Sequence, residues 1–404
     1  MRVIGLDVGR ASAVLCCLEF FPDNIQKYFK EHRREFVKVA TNQKGIDTLL
    51  SYKPDAIVLE PSGHWYSSFW AKVAEVNNIK LLWVGHADLY HQRGSYGFTN
   101  KRDDEDALSL AATYFDPTFI TINGAKRYLN HCNSPVIREV RQTFLEKEQL
   151  AKLRSALIAQ VKQRLCVEFP EMARKQFYLS SVRQFTPFVG WLAGIHDVKR
   201  YDRFYAASVA PTLNIEISDY TKDHSSMLVE LERRISVHLE KLEMLLQNEY
   251  FAPYNAIFDN FGFGINSRVL LLMNTYPFDR FLVNGKRLLE REITSSGKRQ
   301  KRDRSLRKFQ GYLGLSYKLK QSGDKTVRSF GGSSMMRAHL YGWAMCQIAP
   351  RKKGYKTDTE IGRKLTDHFI VLRDTRKLKG KDAFMRLLFK ATRMLFYELL
   401  NGIY

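Results

Sequence analysis

The sequence predicts a mixed α/β domain at the N-terminus, followed by a long helical segment and a mainly α-helical C-terminal part. In roughly the first 120 residues, short apolar runs alternate with amphipathic stretches, the pattern of a sheet covered by helices. Farther along, apolar residues recur at helical spacing over 137–165 and 228–246, so we expect two long helices paired as an antiparallel coiled coil. Hydrophobic residues make up 45% of the 404-residue chain, which is enough for two or three folded domains.

The N-terminal elements are expected in a fixed order. Residues 2–8, 12–19 and 34–39 have the composition of strands, with a tight turn at Gly9 and Arg10. They are followed by a helix at 43–52, a strand at 56–60, a helix at 64–77, a strand at 80–84 and further helices. Three antiparallel strands followed by alternating helices and strands is the order of an RNase H-like (RuvC-like) domain. In that fold, acidic residues lie on the first strand, the fourth strand and a late helix.

Four acidic residues occupy these places. Asp7 and Glu60 each end a short apolar run, and a buried strand holds such a carboxylate rigidly at the edge of a sheet. Asp103 and Asp106 are three residues apart where a helical pattern begins, so their side chains share one face of the helix. We therefore expect these four carboxylates to converge.

Carboxylates that lie close together repel one another, and a hard divalent cation relieves the repulsion by binding their oxygens. The predicted ligands suit two Mg²⁺ ions, with Mn²⁺ as a substitute, and two ions about 3.5–4 Å apart stabilise the attacking and leaving oxygens of a phosphoryl transfer. Each acid also has a simpler interpretation. A single Asp after a strand usually belongs to a turn or a helix cap, and the acidic run Asp103–Asp106 favours a helix N-terminus. Only the combination predicts a metal site.

The actin-like ATPase fold is an alternative for the N-terminal domain. It also begins with a Gly, apolar, Asp, apolar, Gly pattern that holds a phosphate and its metal. That pattern continues with Thr, whereas Gly9 is followed here by Arg10 and Ala11, and the sequence shows no second glycine-rich phosphate loop. The ATPase is therefore the less favoured interpretation.

Net charge indicates the kind of partner. The chain carries 64 Lys and Arg against 42 Asp and Glu, a formal charge of +22 with a pI near 9.7, so we expect it to bind nucleic acid. A membrane surface is the other large anion, but no stretch approaches the roughly 20 apolar residues of a spanning helix. The sequence Gly5-Leu6-Asp7 interrupts the first apolar run, so we expect no signal peptide and a cytoplasmic location.

The cysteines do not suggest a metal or disulfide framework. They are odd in number and show no CxxC spacing, so we expect core or surface thiols. Their positions are Cys16, Cys17, Cys132, Cys166 and Cys346.

Two groups of basic residues are candidate contacts to nucleic acid. Residues 286–308 contain ten Lys or Arg against three acids and include Lys298, Arg299, Lys301 and Arg302. Such a run is usually a solvated, mobile loop, and in a chain this basic we expect it to become ordered on nucleic acid. Further cations on the first long helix could follow a phosphate backbone, namely Arg141, Lys147, Lys152, Arg154, Lys162 and Arg164.

Several motifs together resemble one family. The N-terminal ones are Gly5-Leu6-Asp7-Val8, Glu60-Pro61-Ser62-Gly63-His64-Trp65 and Lys101-Arg102-Asp103-Asp104-Glu105-Asp106-Ala107. The C-terminal ones are Phe261–Met273, with the look of a helix-hairpin-helix, Phe309–Leu315, Gln321-Ser322-Gly323 and Gly332–Arg337. In order and spacing the chain resembles the DEDD-type transposases of the insertion-sequence family numbered 110. These are relatives of the Piv-type invertases and are understood as bridge-RNA-guided DNA recombinases.

The resemblance implies three regions with different functions along the chain. It implies a RuvC-like DEDD catalytic domain over 1–125, a coiled-coil and helical region for oligomerisation and RNA binding over 126–250, and a C-terminal transposase domain over 251–404. It further implies that Asp7, Glu60, Asp103 and Asp106 bind Mg²⁺ and that Ser322 attacks the scissile phosphate to form a phosphoserine. A serine hydroxyl is a weak nucleophile at neutral pH, so metal coordination must help activate it.

The assignment of the nucleophile leaves alternatives open. A Ser-Gly step by itself usually forms a turn, so the family pattern is what favours Ser322. Ser333 and Ser334 are second choices. Arg337, in the same motif, is added to the nucleic-acid-binding candidates.

Partners are also implied by the resemblance. They are double-stranded DNA at the element ends and target, a guide (bridge) RNA, and further copies of the chain as a homodimer that assembles into a homotetramer. The sequence departs from the family pattern at Trp65, where Tyr is common, and at Gly85-His86, which replace Asn-Pro. The basic segment at about 284–306 is longer than typical, so we expect an added RNA- or DNA-binding insertion.

These observations predict a magnesium-dependent transposase or site-specific DNA recombinase of a mobile element. The closest alternative is a RuvC-like structure-specific endonuclease that uses the same acids to activate water and has no need of Ser322. A non-catalytic nucleic-acid-binding protein is a second alternative, and it would bind no magnesium at the carboxylates.

Overall fold

The chain folds into two compact units, Met1–Arg138 and Glu139–Tyr404. The structure is a computed structural model that describes residues 1–61, 65–121, 124, 126–129, 134–179, 184–293, 297, 299–322, 325–349 and 354–404, with the backbone alone at 318–320, 322 and 326–328. The fold is mixed α/β.

The first unit is built on a five-stranded sheet. Its strands are β1 (Val3–Val8), β2 (Ser12–Leu18), β3 (Val37–Ala40), β4 (Ala56–Leu59) and β5 (Lys80–Trp83). They lie in the order β3-β2-β1-β4-β5, with β1, β2 and β3 antiparallel and β1, β4 and β5 parallel. All five predicted strands are present, but β3 begins later than expected because residues 33–35 form a short 3-10 helix.

Helices cover both faces of this sheet. They are α1 (Ile25–His32), α2 (Gln43–Ser51), α3 (Tyr66–Val76), α4 (His86–Ser95) and α5 (Asp103–Phe115). Ile4, Leu6 and Val8 pack with α2 and α3 on one face. Helix α1 was not expected from the sequence. It is short, but Asn24 caps it by accepting a hydrogen bond from the Lys27 amide at 2.9 Å, and it buries Ile25 and Phe29.

Helix α5 lies directly against the backbone of β1 on the other face. A side chain at Gly5 would place its Cβ 2.0 Å from the Ala107 carbonyl oxygen and 2.4 Å from the Ala111 amide nitrogen. Only glycine leaves room for a helix this close to a strand. Because Gly5 and Asp7 are two residues apart, they lie on the same face of β1.

The second unit is dominated by helices. They are α6 (Pro135–Glu168, which begins at the end of the first unit), α7 (Pro170–Ala173), α8 (Pro187–Leu192), α9 (Lys199–Ala206), α10 (Val209–Thr212), α11 (Asp219–Leu246), α12 (Ala252–Asn260), α13 (Ile265–Thr275), α14 (Arg304–Tyr312), α15 (Ser334–Trp343), α16 (Glu360–Ile370) and α17 (Gly380–Ile403). Phe278, Phe309 and Phe396 form the aromatic centre of the C-terminal part, with ring centroids 5.4–6.0 Å apart.

The two long helices α6 and α11 run antiparallel. Glu139 pairs with Lys241 at 2.9 Å, and Arg154 pairs with Glu232 at 2.7 Å. Residue numbers therefore increase along α6 while those of its partners on α11 decrease. The apolar stripe on α6 is not buried throughout, because Leu153 is 57% exposed.

Three of the six cations proposed to lie along a phosphate backbone form side-chain hydrogen bonds or ion pairs within the described part of the fold. Lys147 is buried and donates a hydrogen bond to Asn266 at 2.7 Å, so the prediction that it could follow a phosphate backbone is wrong. Arg154 pairs with the fully buried Glu232, and Arg164 pairs with Glu168. Helical spacing shows which residues share a face of α6 but does not show which neighbour covers that face.

The second unit also contains two β-hairpins. One is formed by β6 (Leu289–Ile293) and β7 (Arg299–Asp303), the other by β8 (Ser316–Ser322) and β9 (Lys325–Gly331). The first falls in the basic run that we expected to become ordered on nucleic acid. The described residues of this run do not have the loop structure usual for such a run, because Glu290 and Glu292 form ion pairs with Arg302 and Arg304 and the two strands pair. Binding of nucleic acid there stays a prediction.

The close approach of α5 predicts the effect of filling Gly5. We expect Gly5→Ala to lower the free energy of unfolding by about 2–3 kcal/mol, because the new methyl group meets rigid backbone. Urea unfolding followed by circular dichroism measures the change. Gly94→Ala is the matched control, because a Cβ at Gly94 in α4 meets no atom within 4 Å. That control should be neutral or stabilising, and equal losses in both variants would contradict the packing argument.

Candidate functional site

Two of the four predicted acids meet at the carboxyl edge of the parallel strands. The register pairs Leu6 of β1 with Leu59 of β4, so Asp7 and Glu60, each one residue farther along, lie side by side. Adjacent strands are about 4.8 Å apart, which brings both carboxylates into one small region. Ligand sites of sheets with parallel strands generally lie at this edge.

The other two acids arrive with α5. Asp103 and Asp106 belong to the first turn of the helix, just before the segment of α5 that touches Gly5. From Ala107 back to Asp103 is about one helical turn, which rises about 5.4 Å. From Gly5 to Asp7 the strand advances about 6.7 Å, which is a similar length. The Gly5 contact therefore places the start of α5 beside Asp7.

Asp7 is the centre of this group. Burial and then the negative charges of Asp106, Asp103 and Glu60, in that order, together raise its pKa from 3.8 to about 7, whereas Lys101 opposes the shift. Each of the three other predicted acids thus lies close enough to act on Asp7. The four carboxylates that the sequence singled out therefore lie in one region of the first unit.

The adjacent acids of the same run point to different partners. Asp104 pairs with Arg33 at 2.5 Å and so belongs to the contact between α5 and the segment after α1. Glu105 is buried, and burial raises its pKa. These placements separate Asp104 and Glu105 from Asp103 and Asp106, as the three-residue spacing predicts.

Two residues that the sequence interpretation did not assign to the site hold two of the acids. His86 Nδ1 lies 2.8 Å from a Glu60 carboxylate oxygen, and Arg93 donates a hydrogen bond to Asp106 at 2.7 Å. The Arg93–Asp106 pair is buried, with side chains 9% and 7% exposed. His86 had been noted only as a departure from the family pattern, and Arg93 had no signal beyond its helical position. Both lie on α4, which follows β5 at the same edge of the sheet.

The donor set fits a magnesium ion in its chemistry. Asp7, Glu60, Asp103 and Asp106 would supply carboxylate oxygens, the ligands that hard divalent cations prefer. Burial is the main cause of the raised pKa of Asp7, and the three other acids add to it. Yet across the described ranges no three His, Cys, Asp or Glu side chains stand in an arrangement that could hold a metal ion. Glu60 is bound by His86 and Asp106 by Arg93, and these contacts are a physical reason why the acids have suitable chemistry but not the arrangement of a metal site.

The candidate nucleophile lies in the second unit. Ser322 is the last residue of β8, and its backbone pairs with Lys325, whereas Ser316 pairs with Gly331 at the other end of the hairpin. Six residue steps of strand span about 20 Å, so Ser322 is far from the base of its hairpin. Gly323, which follows it, lies outside the described residues.

The base of this hairpin is tightly built. A Cβ at Gly314 would lie 2.2 Å from the Ser333 carbonyl oxygen, and one at Gly332 would lie 2.0 Å from that of Gly311. Arg337 donates a hydrogen bond to the Gly314 carbonyl at 2.7 Å, so this nucleic-acid-binding candidate is half-buried and in contact with backbone.

The two alternative nucleophiles lie at the start of α15. The Ser333 hydroxyl accepts a hydrogen bond from the Met336 amide at 3.1 Å and caps the helix, and Ser334 is the first helical residue. Ser333 therefore has a structural role that the sequence alone did not assign.

The remaining basic candidates in the first hairpin differ in their surroundings. Arg299 and Lys301 are exposed, whereas Arg302 forms an ion pair with Glu292. Lys298 lies outside the described residues.

Comparison with known proteins gives no family assignment. No family model matches the chain. No curated protein matches it either. Within the described residues, no helix has both the length and the apolar character needed to span a bilayer.

The raised pKa of Asp7 predicts a pH-dependent effect of neutralising it. Between pH 4 and 7 the folded protein holds a proton on Asp7 that the unfolded chain has lost, so this group's contribution to stability falls as the pH rises through that range. At pH 8, in EDTA, we expect Asp7→Asn to be more stable than wild type by on the order of 2 kcal/mol. Each pH unit by which the pKa rises corresponds to at most about 1.36 kcal/mol of stability, and the partial exposure of Asp7 reduces the gain below that maximum. Below pH 4 the gain should vanish. Thermal unfolding at both pH values measures it, and a variant less stable than wild type at pH 8 would contradict the assignment.

The buried Arg93–Asp106 pair predicts a magnesium-sensitive effect. Arg93→Gln leaves a buried carboxylate without its cation, which should cost roughly 3 kcal/mol in EDTA at pH 8. Magnesium should raise the melting temperature of this variant more than that of wild type, because the ion replaces the lost positive charge. Arg33→Gln, which breaks the more exposed pair with Asp104, is the matched control and should change stability by less than about 1 kcal/mol. If magnesium affects both variants and wild type equally, Asp106 is not a ligand.

Proposed function

We propose that this protein is a transposase or site-specific DNA recombinase of a mobile element that cleaves and exchanges DNA strands with magnesium. The observation that carries the proposal is the convergence of Asp7, Glu60, Asp103 and Asp106 at the carboxyl edge of β1 and β4, registered in the raised pKa of Asp7. A desolvated group of carboxylates of this kind is characteristic of functional sites. The strand order β3-β2-β1-β4-β5 supports the RuvC-like part of the proposal.

The substrate class is supported by charge. A net charge of +22 favours a polyanionic substrate, and an active site rich in carboxylates needs a cation before a phosphate can approach it. Magnesium, when bound, would neutralise the carboxylates and stabilise negative charge at the scissile phosphate. The four acids would hold the ion, while Arg93 and His86 position Asp106 and Glu60.

The covalent step is assigned to Ser322. Its hydroxyl oxygen forms a bond to the scissile phosphorus, the bond from phosphorus to the leaving deoxyribose oxygen breaks, the serine proton passes to solvent and the leaving oxygen takes up a proton. The phosphoserine conserves the phosphodiester energy, so a DNA hydroxyl can reverse the step with a new strand. Ser322 lies at the end of β8, far from the tightly packed base of its hairpin, and this position supports a role in contact with DNA.

The guide RNA, the homodimer and the homotetramer belong to the proposal on the family resemblance alone. The antiparallel helices α6 and α11 are long enough to serve as the oligomerising arm, at about 50 and 40 Å for 34 and 28 residues.

A second function is favoured by one observation. All four acids lie in the first unit and Ser322 lies in the second, so a RuvC-like endonuclease that activates water needs only groups of the first unit. Such an enzyme would cleave DNA without a protein-linked intermediate.

The experiment that separates these functions detects a covalent adduct. The protein is incubated with magnesium, the junction DNA of its own element and the flanking transcript, and protein-linked DNA is resolved in SDS. We expect an adduct with wild type that is reduced at least 100-fold in Ser322→Ala and in Asp103→Ala. Ser333→Ala is the matched control, because it removes a helix cap, costs about 1 kcal/mol and should still form the adduct.

The outcomes are distinct. Clean cleavage that persists in Ser322→Ala and disappears in Asp103→Ala would replace the recombinase with the water-activating endonuclease. An adduct that disappears only in Ser333→Ala would move the nucleophile to that residue. Adduct formation that is unaffected by Asp103→Ala would remove the acids from the reaction.

A further inference from the structure

The hairpin formed by β6 and β7 has two faces of different character. The register places Arg291 opposite Lys301, and Ile293 opposite Arg299, on one face. Together with Leu289 these residues form what we call the outer face, and all five are exposed. Because side chains alternate along a strand, Glu290, Glu292 and Arg302 belong to the opposite, inner face.

The inner face is internally neutralised. Glu292 pairs with Arg302 and also with Arg304, the first residue of α14, and Glu290 pairs with Arg304. Asp303 accepts a hydrogen bond from the Leu306 amide at 2.9 Å and thereby caps α14. These contacts fix the hairpin to the helix that follows it. Arg302 and Arg304 are therefore occupied by ion pairs within the protein.

Beyond Asp303, which the register places opposite Leu289 and which caps α14, the outer face carries charge of one sign. Among the described residues, Arg291, Arg299 and Lys301 form no ion pair, and Arg291 and Lys301 are directly opposite each other on neighbouring strands. Like charges in that position repel and destabilise a hairpin. The side chain of Ile293, 73% exposed, adds an apolar contact to this cationic surface. A polyanion would relieve the repulsion, so the complementary partner is a phosphate backbone.

The shape of the hairpin selects among phosphate backbones. Two strands about 4.8 Å apart, with their side chains, form a ribbon that enters the roughly 12 Å major groove of B-form DNA. The major groove of A-form RNA is too deep and narrow for such an element. We propose that the outer face of this hairpin binds double-stranded DNA in the major groove, with Arg291, Arg299 and Lys301 on phosphates. The choice of DNA as the partner rests on the proposed function.

The test measures how the affinity for DNA depends on salt. The full-length protein is titrated into a fluorescent 30-base-pair DNA duplex in EDTA, so strand cleavage does not contribute, at several salt concentrations. Each lost phosphate contact lowers the slope of log affinity against log salt by about 0.9, so Arg291→Gln with Lys301→Gln should lower it by about 1.8. This double variant removes a repulsive pair and should melt no lower than wild type.

A composition-matched variant makes the test specific for the face. Exchanging Gln300 and Lys301 (Gln300→Lys with Lys301→Gln) keeps the net charge but moves one cation from the outer to the inner face. The proposal expects the slope to fall by about 0.9 in this variant, whereas attraction by net charge alone would leave it at the wild-type value and overturn the proposal. An unchanged slope in the double variant would overturn it as well.

Two further outcomes separate this inference from the proposed function. If wild type binds DNA tightly and the variants bind equally well, the hairpin assignment fails and the recombinase proposal stands. If wild type does not bind duplex DNA at any salt concentration, the hairpin assignment fails, and the adduct experiment with the flanking transcript decides the recombinase proposal separately. An A-form RNA duplex of the same length is the competing probe, and an equal loss of slope on it would overturn the assignment to the DNA major groove.

Discussion

The contact between Gly5 and the backbone of α5 is the constraint on which the candidate site depends. Strand β1 carries Asp7 and helix α5 carries Asp103 and Asp106, but those residues are almost a hundred positions apart in the chain. They converge because the helix lies against the strand at the distance that a residue without a side chain allows. The parallel register of β1 and β4 then adds Glu60. One close approach and one register together define the site.

The sequence predicted much of this arrangement, because its signals are local. The apolar runs that end in Asp7 and Glu60 mark buried strands, and the acids at 103 and 106 coincide with the start of a helix. All five strands of the sheet lie near their predicted positions. Strand ends and helix starts place side chains without reference to distant residues, which is why these four acids could be selected from the sequence.

The parts that the sequence did not predict depend on contacts between distant segments. Nothing in the local pattern around Arg93 indicates that it binds Asp106, and nothing around Lys147 indicates that it is buried and binds Asn266. A run as basic as 286–308 is usually a solvated loop, whereas pairing of Glu290 and Glu292 with nearby arginines stabilises strands there. Helix α1 escaped notice because it has only eight residues.

Helix α4 has a consequence for how the site responds to an ion. Its first residue, His86, contacts Glu60, and Arg93, about two turns later, contacts Asp106, so the two ends of one helix are tethered to two of the four acids. A cation that recruits both carboxylates competes with both tethers. Occupancy of the carboxyl edge and the docking of α4 are therefore thermodynamically linked, and by reciprocity whatever shifts α4 alters the affinity of the acids for the ion.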